Sequence, residues 1–258
     1  MPLNKSVART IDLLELLAGS SHALNLTEIC QEMSLPKSSA HELLHTLMER
    51  HAVEYDNPDL KTFRLGIKIF SIGSAVIAKN DLYKIAHPIL EKLSVATNGT
   101  SYLAIEKDNM IVYLDKVEGE APIRATCSAG DRNYMQSTGL GKALLATQTD
   151  EEVRNIVFST GLIAHTDHSI TDLSVLLSDL HQTRQRGYAI DDREGMEFLK
   201  CIAAPIRNHK NEAVAAISAA LFATRLTDDR IEEVSMLVTE SAFDISRQLG
   251  FAGAKLYF

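Results

Sequence analysis

Over the first fifty residues, apolar positions return every three or four residues in three separate runs, the spacing of a helix face. Residues 5–18 put Val7, Ile11, Leu14 and Ala18 on one stripe, which Leu13 and Leu17 widen, and Gly19 ends the run. Thr27 is placed to cap a short second helix carrying Ile29, Cys30 and Met33. Ser34 and Leu35 interrupt it, and Pro36 opens a third helix, where a missing N–H costs no intrahelical bond. That helix lines up Ala40, Leu43, Leu44, Leu47 and Met48, and turns Ser38, His41, Glu42, His45 and Glu49 the other way. Alternation then replaces the helical period. Val53-Glu54-Tyr55 and Thr62-Phe63-Arg64-Leu65 flank the turn residues Asp56-Asn57-Pro58-Asp59, which predicts a β-hairpin.

Residues 67–79 are helical in period but apolar on most sides (Ile67, Ile69, Phe70, Ile72, Ala75, Val76, Ile77), so this helix needs a partner surface. It reads as a connector that packs on a second copy of the chain, or only within its own. Asp81 starts another helix with the ridge Ile85, Ile89, Leu90 and Leu93. Strands are expected at 101–107 and 110–117 around an Asp108-Asn109 turn, and at 122–127, 188–191, 200–207 and 214–222. Helices are expected at 138–147, 150–158, 171–186 and 227–249. The fold class is α+β, one antiparallel sheet flanked by helices and suited to holding a small molecule.

Two helices across a short turn, followed by a hairpin, form a winged helix-turn-helix. Lys37, Ser38 and Ser39 occupy the first turn of the third helix, where free N–H groups attract phosphate. His41, Glu42 and His45 continue along its exposed ridge, as suits an element lying in the major groove of DNA. Lys61 and Arg64 on the wing, and Arg9 on the first helix, are candidates for backbone phosphate. The same spacing also fits an ordinary helical hairpin with a solvated face, and Arg9 fits an ordinary surface arginine. Charge leans against DNA: the chain stands at −8, and residues 1–78 hold seven Lys and Arg against nine Asp and Glu. One such domain would bind weakly, and affinity would have to come from pairing several on a repeated site.

With 258 residues, 45% of them hydrophobic and 23% charged, the chain has the composition of about two folded domains. No apolar run approaches the roughly 18 residues of a membrane span, and the start lacks a signal-peptide core, so a cytoplasmic protein with no membrane partner is expected. Cys30, Cys127 and Cys201 are scattered, without a CxxC pair. Gly139-Leu140-Gly141-Lys142 lacks the spacing of a phosphate-binding loop, and no nucleophile motif such as GxSxG occurs. His165 and His168 stand three apart with Asp167 between, close enough for a metal, although two histidines fall short of a full ligand set. No catalytic residue, metal or cofactor is expected.

Several blocks in order, SVARTIDLLELL, LPKSSAHELLHTLMER, FRLG, STGLGKALLA, GYAIDDRE, KCIAAPI and AFDISRQLG, resemble the IclR family of bacterial transcription regulators over nearly the whole chain. The resemblance implies a winged helix-turn-helix over 1–66, a linker helix over 67–79 and an effector-binding domain over 80–258, assembled as dimers or pairs of dimers. It puts DNA contact on Lys37, Ser38, Ser39, His41 and His45. Effector contact falls around Gly139, Leu140 and Gly141, and on Asp191, Cys201, Ser218 and Ala220. Physical reasons agree: the glycines would let a ligand carboxylate reach bare N–H groups at a helix start, and Asp191 could accept from a ligand hydroxyl. GLG fits tight packing alone as well, and Cys201 fits plain core. Three positions depart from the family pattern: Phe198 where glycine is common, Tyr134 where proline is frequent, and Glu42 where arginine is common. The function implied is a repressor whose hold on operator DNA is set by a small organic acid. The alternative is an enzyme acting on a small acid, its N-terminal domain serving assembly.

Overall fold

The structure, a computed structural model, describes residues 3–78, 81–119 and 127–257. They fall into two compact units, 1–80 and 81–258, each with its own apolar core.

In the first unit, helix α1 (Lys5–Gly19) begins where the Asn4 side chain accepts from the N–H groups of Ser6 and Val7. Its buried row is Leu13 and Leu17, four residues apart; Val7 and Ile11 are 60% and 51% exposed. The expected stripe through Val7 and Ile11 therefore faces outward, and the residues expected only to widen it form the core. Two adjoining rows are apolar, and packing of α1 on the strand Thr62–Leu65 decides which is covered. Helix α2 (Leu26–Glu32) is capped by Asn25, not Thr27. Asn25 accepts from the N–H of Thr27 and Glu28, while the Glu28 carboxylate accepts from the Asn25 N–H, a reciprocal pair that satisfies donors a helix start leaves open. The chain turns through Ser34 at positive φ and enters α3 (Lys37–Glu49) with Pro36 as its cap. Ala40, Leu44 and Leu47 are buried, as the period predicts, with Leu43 and Met48 half-buried beside them.

Strand β1 (Leu24–Asn25), too short for any alternation to reveal, pairs with β3 (Thr62–Leu65), which pairs with β2 (Val53–Asn57) in the expected hairpin. Gly66 closes the wing, where an added Cβ would collide with the His51 carbonyl. Helix α4 (Ile67–Ala78) follows. Ile69 packs on the first core, whereas Ile67 and Phe70 are 70% and 71% exposed.

In the second unit, α5 (Asp81–Thr97) precedes β4 (Thr100–Lys107) and β5 (Met110–Val117), joined by Asp108 and Asn109, both at positive φ. Of the strand expected at 122–127, residues 122–126 lie outside the described residues, and Cys127 is irregular. The sheet's edge is instead β6 (Arg132–Tyr134), three residues long. Then come α6 (Gly139–Leu145), α7 (Asp150–Thr160), α8 (Leu173–Arg186), β7 (Ala189–Asp192), β8 (Leu199–Arg207), β9 (Ala213–Phe222) and α9 (Asp228–Gln248), close to the expected bounds.

The sheet runs β6-β5-β4-β9-β8-β7, with every pair antiparallel. Helices α5 and α9 pack together against the strands, and α6 packs on β7, β8 and β9 with α8 behind it. Since side chains alternate along a strand, Cys201 and Ala203 of β8 point to α6, where Gly139 meets their Cβ atoms, and Ile202 and Ala204 point to the other face. Cover on both faces explains why Ile202 to Arg207 is continuously buried.

Candidate functional site

On the first unit, Lys37, Ser38, His41, Glu42 and His45 of α3 are exposed and Ser39 is half-buried. No side chain caps α3, so its first N–H groups stay open to an anion. One turn apart, the His41 and His45 rings stack with centroids 6.5 Å apart. A groove between α3 and the wing gathers Lys37, His41 and His45 with Lys61 at the hairpin tip, and adds Asn25 and Tyr55. Sequence reasoning missed those two, because only pairing of β2 and β3 brings Tyr55 over Phe63, ring to ring at 5.1 Å.

The other candidates stand apart from this groove. Arg9, Ser39 and Glu42 line a second groove between α1 and α3. Arg64 reaches along the wing to Glu54 at 2.9 Å and Asp56 at 3.4 Å, so its charge is already met by two carboxylates.

On the second unit, a cavity of about 60 Å³ lies between the sheet and α6. Gly139, Leu140, Asp191, Cys201, Ser218 and Ala220 all line it. Strand register brings them together: Cys201 pairs with Asp191 on one side and Ala220 on the other, and Ala203 pairs with Ser218. Gly141 does not line the cavity. Its N–H donates to the Thr138 hydroxyl that caps α6, at 3.1 Å, so it is not the bare donor expected. A Cβ there would lie 2.6 Å from the Met135 carbonyl carbon and nearer still to its oxygen. Gly141 serves packing, whereas Gly139 allows close approach to β8.

Tyr102, Tyr113 and Thr138 also line the cavity and were not foreseen. Tyr102 pairs with Ser218 in the sheet, and its ring meets Tyr113 edge-on at 5.4 Å. The Tyr102 hydroxyl is buried with no hydrogen-bond partner among the described residues, which in a folded protein calls for one. Only the β4–β9 register places Tyr102 over Ser218.

Phe198 is half exposed, with its ring on Phe222 at 6.2 Å, and does not line the cavity. Tyr134 lies against His165, and its carbonyl accepts from the Thr138 hydroxyl at 3.1 Å. His168 faces Glu197 at 3.6 Å.

Beneath the cavity sits an ion network that the sequence did not announce. Lys142, only 1% exposed, meets Glu194 and, at 3.0 Å, Asp179, which Arg186 approaches at 3.6 Å. Burial pulls the Lys142 ammonium down, but the two carboxylates outweigh it and hold the group above its ordinary value. Burial raises Glu194. Asp191 is buried as well; its Oδ1 accepts from the N–H of Glu194 at 2.8 Å and of Gly195 at 3.4 Å. Burial and the Glu194 charge push its carboxyl up to about 7, against the pull of Lys142 and the two N–H groups. Burial also pushes the Cys201 thiol well up, leaving a poor nucleophile.

A helix-turn-helix with a wing on one unit, and a small cavity that sets a few polar groups in an apolar wall on the other, define a DNA-binding regulator that responds to a ligand. The description "Bacterial transcriptional regulator IclR C-terminal" matches residues 74–247, and "IclR helix-turn-helix domain" matches residues 6–57. The HTH-type transcriptional repressor AllR of Salmonella paratyphi A is 34% identical over 246 residues, which cover 95% of this chain and 90% of that protein. The crystal structure of Thermotoga maritima IclR superposes with a TM-score of 0.81 at 30% identity, covering 96% of this chain and 99% of that one. An IclR homolog from Microbacterium hydrocarbonoxydans, complexed with 4-hydroxybenzoate, shares the fold with a TM-score of 0.82 at 22% identity over 95% of this chain and 98% of that one. The chain belongs to the IclR family of transcriptional regulators.

Proposed function

We propose that this protein is a repressor that grips operator DNA through α3 and the wing, as a homodimer or dimer of dimers, and loosens when a small organic acid fills the cavity. The cavity carries this reading. It sets hydroxyls and one carboxyl group into a largely apolar wall, and it belongs to the unit that does not bear the helix-turn-helix. Its Cys201 thiol is suppressed by burial, and no histidine lines it among the described residues. Such a wall suits holding a ligand rather than turning it over, so the protein acts as a regulator and not as an enzyme, and works in the cytoplasm where its DNA is.

Lys37, Ser38, His41 and His45 are the groups assigned to the major groove, with Lys61 on backbone phosphate; Arg9, Ser39 and Glu42 flank them, and Arg64 organises the wing. A twin subunit supplies the cover that Val7, Ile11, Ile67 and Phe70 lack in the single chain. It also supplies the second DNA-binding unit that a net negative domain requires. The acid acts by linkage, shifting operator affinity by the ratio of its affinities for the two arrangements. Gel-shift against the upstream region of the protein's own gene, with and without an acid that stabilises it in a thermal-shift screen, tests the proposal. Salt-sensitive, sequence-selective retardation relieved by the acid is expected; turnover of the acid without retardation would replace it with the enzyme reading. An acid that stabilises Asp191→Ala and Ser218→Ala as well as wild type binds elsewhere.

A further inference from the structure

Asp191 is the one acidic residue on the cavity wall among the described residues, and no lysine, arginine or histidine joins it there. Both N–H bonds it accepts go to Oδ1, and among the described residues no donor meets Oδ2. The charges packed around it are already matched. From α6 comes Lys142, from the turn after β7 Glu194, and from α8 Asp179 with Arg186; two cations face two carboxylates and leave none for Asp191. Arg193 and Lys200, its near neighbours in the chain and across the sheet, are engaged with Asp192 at 2.9 and 3.2 Å. The remaining titratable groups facing it are the Cys201 thiol and the Tyr102 and Tyr113 phenols, which burial keeps neutral, and the Cys127 thiol on the same wall.

A ligand carboxylate entering this space would therefore stand beside an uncompensated carboxylate. Two such groups in one buried site do not both stay ionised. Resting on the effector reading of the cavity, we propose that the site takes up one proton from solvent with its carboxylate ligand, so that Asp191 meets the ligand as a carboxylic acid. Oδ2 then donates to one ligand oxygen, and the buried Tyr102 hydroxyl, without a partner among the described residues, donates to another. The ligand class is a small monocarboxylate, and departure of the acid returns the proton. An Asp191 carboxyl already held at about 7 makes that proton cheap to acquire near neutrality. Apparent affinity is then flat at acid pH and falls about tenfold for each pH unit above 7.

The test is titration calorimetry of the full-length protein with acetate, lactate and 4-hydroxybenzoate at pH 6 and pH 8, each in two buffers of different ionisation enthalpy. For whichever acid binds, the expected result is uptake of close to one proton at pH 8 and a Kd about tenfold weaker than at pH 6. Asp191→Asn keeps a donor in the same place without an exchangeable charge, so its Kd is expected to be the same at both pH values, with no proton uptake. Wild-type binding without proton exchange overturns this inference and leaves the effector cavity standing, as does an Asp191→Asn protein that retains the full pH dependence. Failure of all three acids to bind wild type at either pH overturns the small-acid reading and this inference with it.

Discussion

Gly139 and Gly141 sit two residues apart in the same short helix, yet a methyl group should act on different properties at each. At Gly141 an added Cβ meets backbone, the Met135 carbonyl, which cannot swing aside. Overpacking of this kind costs about 1–3 kcal/mol, and a backbone obstacle argues for the upper end. Replacing glycine by alanine inside a helix returns about 1 kcal/mol. The net loss for Gly141→Ala is then roughly 2 kcal/mol. With a urea dependence of about 2 kcal/mol per molar, the unfolding midpoint of the second unit should fall by about 1 M. At Gly139 the new methyl would stand 3.3 Å from the Cys201 Cβ and 3.4 Å from the Ala203 Cβ, tight but between side chains. Gly139→Ala should leave the midpoint within about 0.5 M of wild type while weakening acid binding, because that methyl points at the cavity wall. Urea unfolding followed by circular dichroism, with calorimetry for the ligand, measures both. A Gly141→Ala protein as stable as wild type would refute the packing argument, and a Gly139→Ala protein with intact ligand affinity would refute the close-approach argument.

On DNA, Lys61→Ala should lower the slope of log affinity against log salt by about 1. Arg64→Ala should change it far less, because Glu54 and Asp56 already satisfy that guanidinium; fluorescence anisotropy across a salt series separates the two. Lys142→Met leaves buried Glu194 and half-buried Asp179 without their shared cation, and should cost about 3–5 kcal/mol in denaturant unfolding at neutral pH. Asp191 sets a pH dependence of stability. Its folded value, about 7, lies above its ordinary 3.8, so its contribution is fully present below pH 4 and is lost as pH rises through 7. Relative to wild type, Asp191→Asn should therefore gain stability between pH 4 and 7, by roughly 4 kcal/mol at most. Equal stability differences at pH 4 and pH 8, measured by thermal unfolding, would contradict that assignment.

Local chemistry decided much of this protein before any tertiary contact formed. The three- and four-residue recurrence through Ala40, Leu44 and Leu47 set the buried side of α3, and thereby which of its residues remain exposed. Alternation and the Asp108-Asn109 turn set the long hairpin of the second unit, and the separate blocks of family likeness marked Asp191 and Cys201. Period and turn chemistry act over a few residues, so they are legible along the chain.

Choices between equivalent local options were made only by packing. In α1 two adjoining rows are apolar, and contact with β3 covered Leu13 and Leu17 while leaving Val7 and Ile11 outside. At the start of α2, Asn25 and Thr27 both have capping chemistry, and the reciprocal bond with Glu28 selected Asn25. Tyr102 entered the cavity wall because β4 pairs with β9, and Lys142 became a buried cation because α6 meets Glu194 and Asp179, 52 and 37 positions further along. Burial and charge balance depend on groups remote in the chain, so the properties of Asp191 exist only once the fold has gathered its neighbours.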